Sequence, residues 1–179
     1  MRPTSAFAKD GRESGQPRAL PTARGRATPC RLVVVAVDGA DAVSAAGGLI
    51  FDSVRAGWNV EIYLESPGDD ERALQILGAS GLGLPEVFEF DASWPDAVFL
   101  SAVMHERHRS VQLLVATSIR RHISDIGVWG GPVTGLDSDA VSGHRLSTAA
   151  RAFKPHAMNA AGLPPVVCDV ESFDGDQSR

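Results

Sequence analysis

Two short runs in this 179-residue chain carry side chains suited to holding an anion. Thr117 and Ser118 supply hydroxyls, while Arg120 and Arg121 supply guanidiniums that fit a carboxylate or phosphate as a bidentate fork. Gly130 and Gly131 follow an apolar run and let a ligand approach the backbone closely. Asp38 and Gly39 follow the first apolar run of the chain. A carboxylate there can meet a ribose hydroxyl or a cation, or simply serve an Asp-Gly turn. The candidate ligand-binding set is therefore Asp38, Gly39, Thr117, Ser118, Arg120, Arg121, Gly130 and Gly131.

Several familiar chemistries lack their signatures. His105 and His108 stand three apart, a spacing that can chelate, but a zinc site needs further ligands and no Cys/His pair supplies them. The pair is not H-E-x-x-H, and it is expected at a helix C-terminus on the edge away from the ligand, so no metal is expected. Gly39 is not followed by the spacing of G-x-G-x-x-G, and no Walker loop occurs, so the residues name no cofactor. His144 and His156 have no G-x-S-x-G partner. Cys168 has apolar neighbours and is expected to be buried. Trp58 and Trp94 read as core, and Trp129 either as core or as the floor of a pocket.

These residues need elements to position them. Leu32 to Val37 is a continuous apolar run, as in a strand buried on both faces of a parallel sheet. A helix is predicted from an Asp41 N-cap to Ala56, stopped by Gly57. Gly47 and Gly48 inside it imply close approach to a neighbour, since each costs roughly 1 kcal/mol against alanine. Further strands are predicted at Val60–Leu64, Val87–Phe90, Val111–Ala116 and Ile126–Trp129. Helices are expected over Glu71–Leu77, from Ser93 to about His105, and from Ser147 to about Ala161, the last kinked at Pro155. A long loop covers Gly130 to Arg145, and Val166-Val167 is a candidate last strand. The alternation predicts a three-layer Rossmann-like or flavodoxin-like α/β domain with a mostly parallel sheet of about five strands. Ligands of such sheets bind outside the carboxyl ends of the strands.

Over residues 31–135 this order resembles that of response-regulator receiver domains. Asp38 and Asp41 stand near the acidic positions after strand one, Asp91 near the phospho-accepting position and Thr117 near the hydroxyl position. Ala56-Gly57-Trp58-Asn59-Val60 is similar to the usual helix-to-strand join. Gly130-Gly131-Pro132 stands where that family has a lysine. The resemblance implies a degenerate receiver that is not phosphorylated.

Composition bounds the rest. Residues 1–31 carry net +5 and the remainder net −10. An acidic body repels phosphates, which excludes a duplex nucleic-acid surface. Residues 1–30 contain four prolines and no apolar period, so they read as a disordered basic tail, despite a transit-peptide-like Arg/Ser/Ala bias. The α/β domain is expected over 31–165, with 166–179 a C-terminal strand or tail. No apolar run reaches the roughly 20 residues of a membrane span. Two cysteines, Cys30 and Cys168, make no disulfide framework and fit a cytoplasmic setting. The leading expectation is a non-catalytic binding or regulatory domain. It would take an anionic small molecule or a protein partner at the carboxyl rim, with a homodimer admitted. The alternatives are an enzyme acting on a phosphorylated or carboxylated substrate, and the degenerate receiver.

Overall fold

The computed structural model describes residues 28–68, 70–90, 93–121, 125–136 and 141–175. Most of the expected basic tail, and Asp91, lie outside them.

β1 (Arg31–Ala36) is an interior strand, and five of its six residues are buried. Its side chains alternate between two cores, as the period of two requires. Leu32, Val34 and Ala36 enter one cluster, and Val33 and Val35 the other. α1 (Gly39–Arg55) returns the chain to β2 (Asn59–Leu64), which pairs in parallel with β1. α2 (Glu71–Ile76) leads to a three-residue β3 (Gly81–Gly83) beside β2. The chain then crosses to the other side of β1 and forms β4 (Ala97–Ser101), all five residues buried. α3 (Ala102–Arg107) and α4 (Arg109–Arg120) lead to β5 (Asp125–Trp129). β6 (Val141–Arg145), α5 (Thr148–Ala160) and an antiparallel β7 (Val170–Asp174) complete the order.

The sheet runs β3-β2-β1-β4-β5-β7-β6. It is mostly parallel but has seven strands, not about five. The order 3-2-1-4-5 is the Rossmann arrangement and differs from the flavodoxin one, 2-1-3-4-5. α1, α2 and α5 pack on one face, and α3 and α4 line the other core. Among the described residues, no helix is long and apolar enough to cross a membrane.

Several local expectations are corrected, among them the long loop over Gly130 to Arg145, whose last five residues form β6. Val111–Ala116 is not a strand but part of α4, since Val111, Leu114, Val115 and Ser118 recur at helical spacing on its buried face. The strand beside β1 is Ala97–Ser101, where a helix was expected. Val87–Phe90 is not a strand; Phe88 and Phe90 cover the second core, Phe88 against Tyr63 and Phe90 against Trp94. The last strand is Val170–Asp174 rather than Val166-Val167, and Cys168 just before it is exposed, not buried.

α1 shows how the C-terminal segment is fixed. Ala46 leaves helical geometry at φ −129°, ψ 15°, dividing the helix in two. The freed amides of Gly48 and Leu49 donate to the Glu171 carboxylate at 2.7 and 2.9 Å. Lys154 Nζ pairs with Glu171 and donates to the Ser44 carbonyl at 2.8 Å. The close approach implied by the glycines is therefore to β7, α5 and the β6–α5 join. A Cβ on Gly48 would come within 2.4 Å of Leu146.

A second polar clasp holds the same face. Asp52 accepts from His144 Nε2 at 2.9 Å, from Ser147 N at 3.0 Å and from the Ser147 hydroxyl. Burial raises this carboxyl, but the bonds from His144 and then Ser147 outweigh it and hold the pKa below the ordinary value. A depressed pKa stabilises above the unfolded value of ~3.9 and is lost as pH falls through the folded one. Asp52→Asn should therefore cost about 1–3 kcal/mol at pH 7. The deficit should shrink toward pH 3 in urea melts of both proteins.

Candidate active site at the carboxyl edge of the sheet

The site begins where the strand order reverses, between β1 and β4, because the connections from the two strands leave on opposite faces there. Asp38 ends the turn after β1 and is the N-cap of α1, its carboxylate accepting from Asp41 N at 2.8 Å. The expected Asp41 cap therefore lies three residues earlier. Asp41 instead accepts from Val37 N at 3.1 Å and from Trp129 Nε1 at 2.9 Å, tying the β1 turn to the end of β5. Asp70 accepts from Ala40 N at 3.0 Å, and a Cβ on Gly39 would collide with the Asp70 side chain at 2.4 Å.

On the other face of this edge lies an open cavity of about 780 Å³. Its polar lining includes His105 and Glu106 from α3, Gln112 from α4, and Gly130, Gly131 and Thr134 from the loop after β5. Ala102, Val103, Ala116, Pro132 and Val133 supply apolar wall. Gly130 and Gly131 have φ of +86° and +145°, which favour glycine. Burial pushes the His105 imidazole below its ordinary pKa, so the ring is neutral at neutral pH.

The sequence-predicted residues divide. Asp38, Gly39, Gly130 and Gly131 lie along the carboxyl edge. Thr117, Ser118, Arg120 and Arg121 lie at the end of α4, just before β5 begins, at the opposite edge. There Arg120 donates to Thr117 Oγ1 at 3.0 Å and Arg121 stacks over Trp94 at 4.8 Å. Ser118 accepts from Trp94 Nε1 and donates to the Leu114 carbonyl. The structure does not bring these four residues to Asp38 or Gly130. The cause is the exchange of strand for helix over 111–116, which reverses which end of the segment meets the rim.

The opposite exchange over Ala97–Ser101, a strand where the pattern suggests a helix, corrects the placing of the histidines. α3 starts directly after β4, so His105 stands on the carboxyl side of the sheet. His108 follows and meets Glu65, the residue after β2, at 2.8 Å. His144 and Ser147 both contact Asp52, but the Ser147 hydroxyl donates to the carboxylate, not to the imidazole, so no nucleophile–base relay forms there. Among the described residues, no group of three or more His, Cys, Asp or Glu side chains is placed to hold a metal ion.

No family model matches the chain, and no curated protein matches its sequence. Solved structures do share the fold. A deacetylase of the teicoplanin biosynthesis pathway, in complex with teicoplanin, superposes with a TM-score of 0.54 at 12% identity, covering 81% of this chain and 97% of that one. A triple mutant of a deacetylase involved in the same pathway gives 0.51 at 15% identity, over 73% of this chain and 81% of that one. A conserved protein from Thermus thermophilus gives 0.52 at 16% identity, over 83% and 95%. The class defined is thus a three-layer α/β fold with a seven-stranded, mostly parallel sheet, shared with deacetylases. This overturns the expectation of a non-catalytic binding or regulatory domain and that of a degenerate receiver. The neighbours of stated activity are enzymes, and the sheet order is not the receiver one.

Proposed function

We propose that the chain is a hydrolase that removes an acyl group from the nitrogen of a small molecule bound in the cavity beside α3. The observation that carries this reading is a desolvated His105 beside Glu106 at the carboxyl edge of a fold that deacetylases share.

The chemistry follows from the ring's protonation. Neutral His105 takes a proton from a water molecule as the oxygen attacks the acyl carbonyl. The polar backbone at Gly130 and Gly131 supports the developing oxyanion. The C–N bond breaks as His105 returns the proton to the leaving nitrogen, giving a carboxylic acid and an amine, and the acid's proton then passes to the amine to leave a carboxylate and an ammonium. Glu106 in the same cavity favours the ammonium form of that product. The proposed site residues are His105, Glu106, Gly130 and Gly131, with Asp38 and Gly39 shaping the adjoining edge. Two free cysteines, one buried and one exposed, support a cytoplasmic setting.

The test is binding and turnover of N-acetylated amines, with acetate release followed by proton NMR. Chemical-shift changes confined to Ala102–Glu106 and Gly130–Thr134, together with acetate release, support the proposal. Binding elsewhere, with no turnover across the panel, refutes it.

A further inference from the structure

α3 carries both polar side chains of the proposed chemistry, yet it has six residues and no side-chain cap at its N-terminus. An isolated helix of this length does not persist, so tertiary contacts must hold it. Met104 is fully buried and fixes one face. Gln112 Nε2 donates to the His105 carbonyl at 3.0 Å. The third hold comes from another strand. Glu65 lies one residue beyond β2, which is separated from β4 by β1. Its two carboxylate oxygens divide between the end of α3 and the residue after it: His108 Nε2 at 2.8 Å and Arg107 Nη1 at 3.2 Å.

We infer that Glu65 is a positioning residue for His105, clamping the α3 C-terminus through His108 and Arg107 so that the imidazole stays in the cavity. The inference rests on the hydrolase reading for its consequence, but not for its geometry. The ionisable groups of the clamp are Glu65, Arg107 and His108, and Glu106 on the same helix lines the cavity. The bonds to His108 and Arg107 also keep the Glu65 carboxyl below its ordinary pKa, the His108 bond contributing most. The clamp therefore keeps its negative partner down to mildly acidic pH.

Releasing the clamp lets α3 shift and exposes more of the His105 ring to water. The experiment is an NMR titration of the His105 imidazole in the full chain, comparing wild type with Glu65→Ala, Glu65→Asp and Arg107→Gln. Arg107 is 56% exposed, so its variant folds even if Glu65→Ala does not. The expected result is a His105 midpoint that rises toward ~6.5 in Glu65→Ala and partly in Arg107→Gln, with Glu65→Asp between. On an active substrate, kcat should fall roughly 10- to 100-fold with KM little changed. A His105 midpoint that is the same in all folded variants overturns the inference. Because the titration needs no turnover, that failure is distinct from failure of the hydrolase reading.

Discussion

Glu171→Ala is expected to lower stability by about 3–5 kcal/mol, the cost of breaking a buried ion pair on one side. The partners are 6% and 4% exposed as residues, so water cannot replace what is lost. The substitution strands the Lys154 ammonium and leaves the Gly48 and Leu49 amides without an acceptor. It also frees β7 from α1, the only contact between the C-terminal strand and the helix break that is carried by a carboxylate among the described residues. For a chain of this size the loss corresponds to a Tm drop of roughly 6–20 °C. Lys154→Met alone should cost less, because the two amides still cap Glu171. Glu171→Gln with Lys154→Met should cost less than the sum of the two single changes, since the pair acts as a unit. Melting the wild type, Glu171→Ala, the singles Lys154→Met and Glu171→Gln, and their double variant by circular dichroism checks all of this. A drop under about 2 °C in Glu171→Ala would show that the pair is not holding the strand.

His105→Ala is expected to lower kcat/KM by about 10²- to 10⁴-fold, the usual contribution of a positioned general base. That is about 3–5 kcal/mol of transition-state free energy. The sign of the pH dependence follows from burial. Desolvation lowers the His105 pKa, so the ring loses its proton below ~6.5 and is ready as a base at neutral pH. Activity should rise as pH increases through that depressed value and then level off toward pH 8. In His105→Ala the acid limb should vanish with the activity. A fold check by circular dichroism separates this from unfolding, because His105 lines an open cavity rather than the core.

β1 and α1 were legible from local pattern alone. Leu32 to Val37 admits one reading, and Gly57 with φ of +83° marks the turn after α1. The sheet's second half was not legible, because Ala97–Leu100 and Val111–Ala116 are both short apolar runs that a strand or a helix can carry. The helical spacing of Val111, Leu114, Val115 and Ser118 was the available signal. Read as a strand, 111–116 places Thr117 to Arg121 at the carboxyl edge, and read as a helix, 97–101 places His105 at the opposite one, each the reverse of the structure. The polar clasps were beyond reach for another reason. Asp52 meets His144 across 92 positions and Gly48 meets Glu171 across 123, and no local pattern couples residues so far apart. The Rossmann strand order likewise became visible only when β4 was found beside β1.

The most direct measurement of the central claim is acetate release from N-acetylated amines by the purified full chain, run beside His105→Ala at pH 5 to 8. Turnover by the wild type is expected to rise from pH 5 to a plateau and to be lost in the variant. Turnover that survives in His105→Ala with an unchanged pH profile would contradict the assignment of the base. No turnover of any acylated amine by the folded wild type would contradict the hydrolase reading itself.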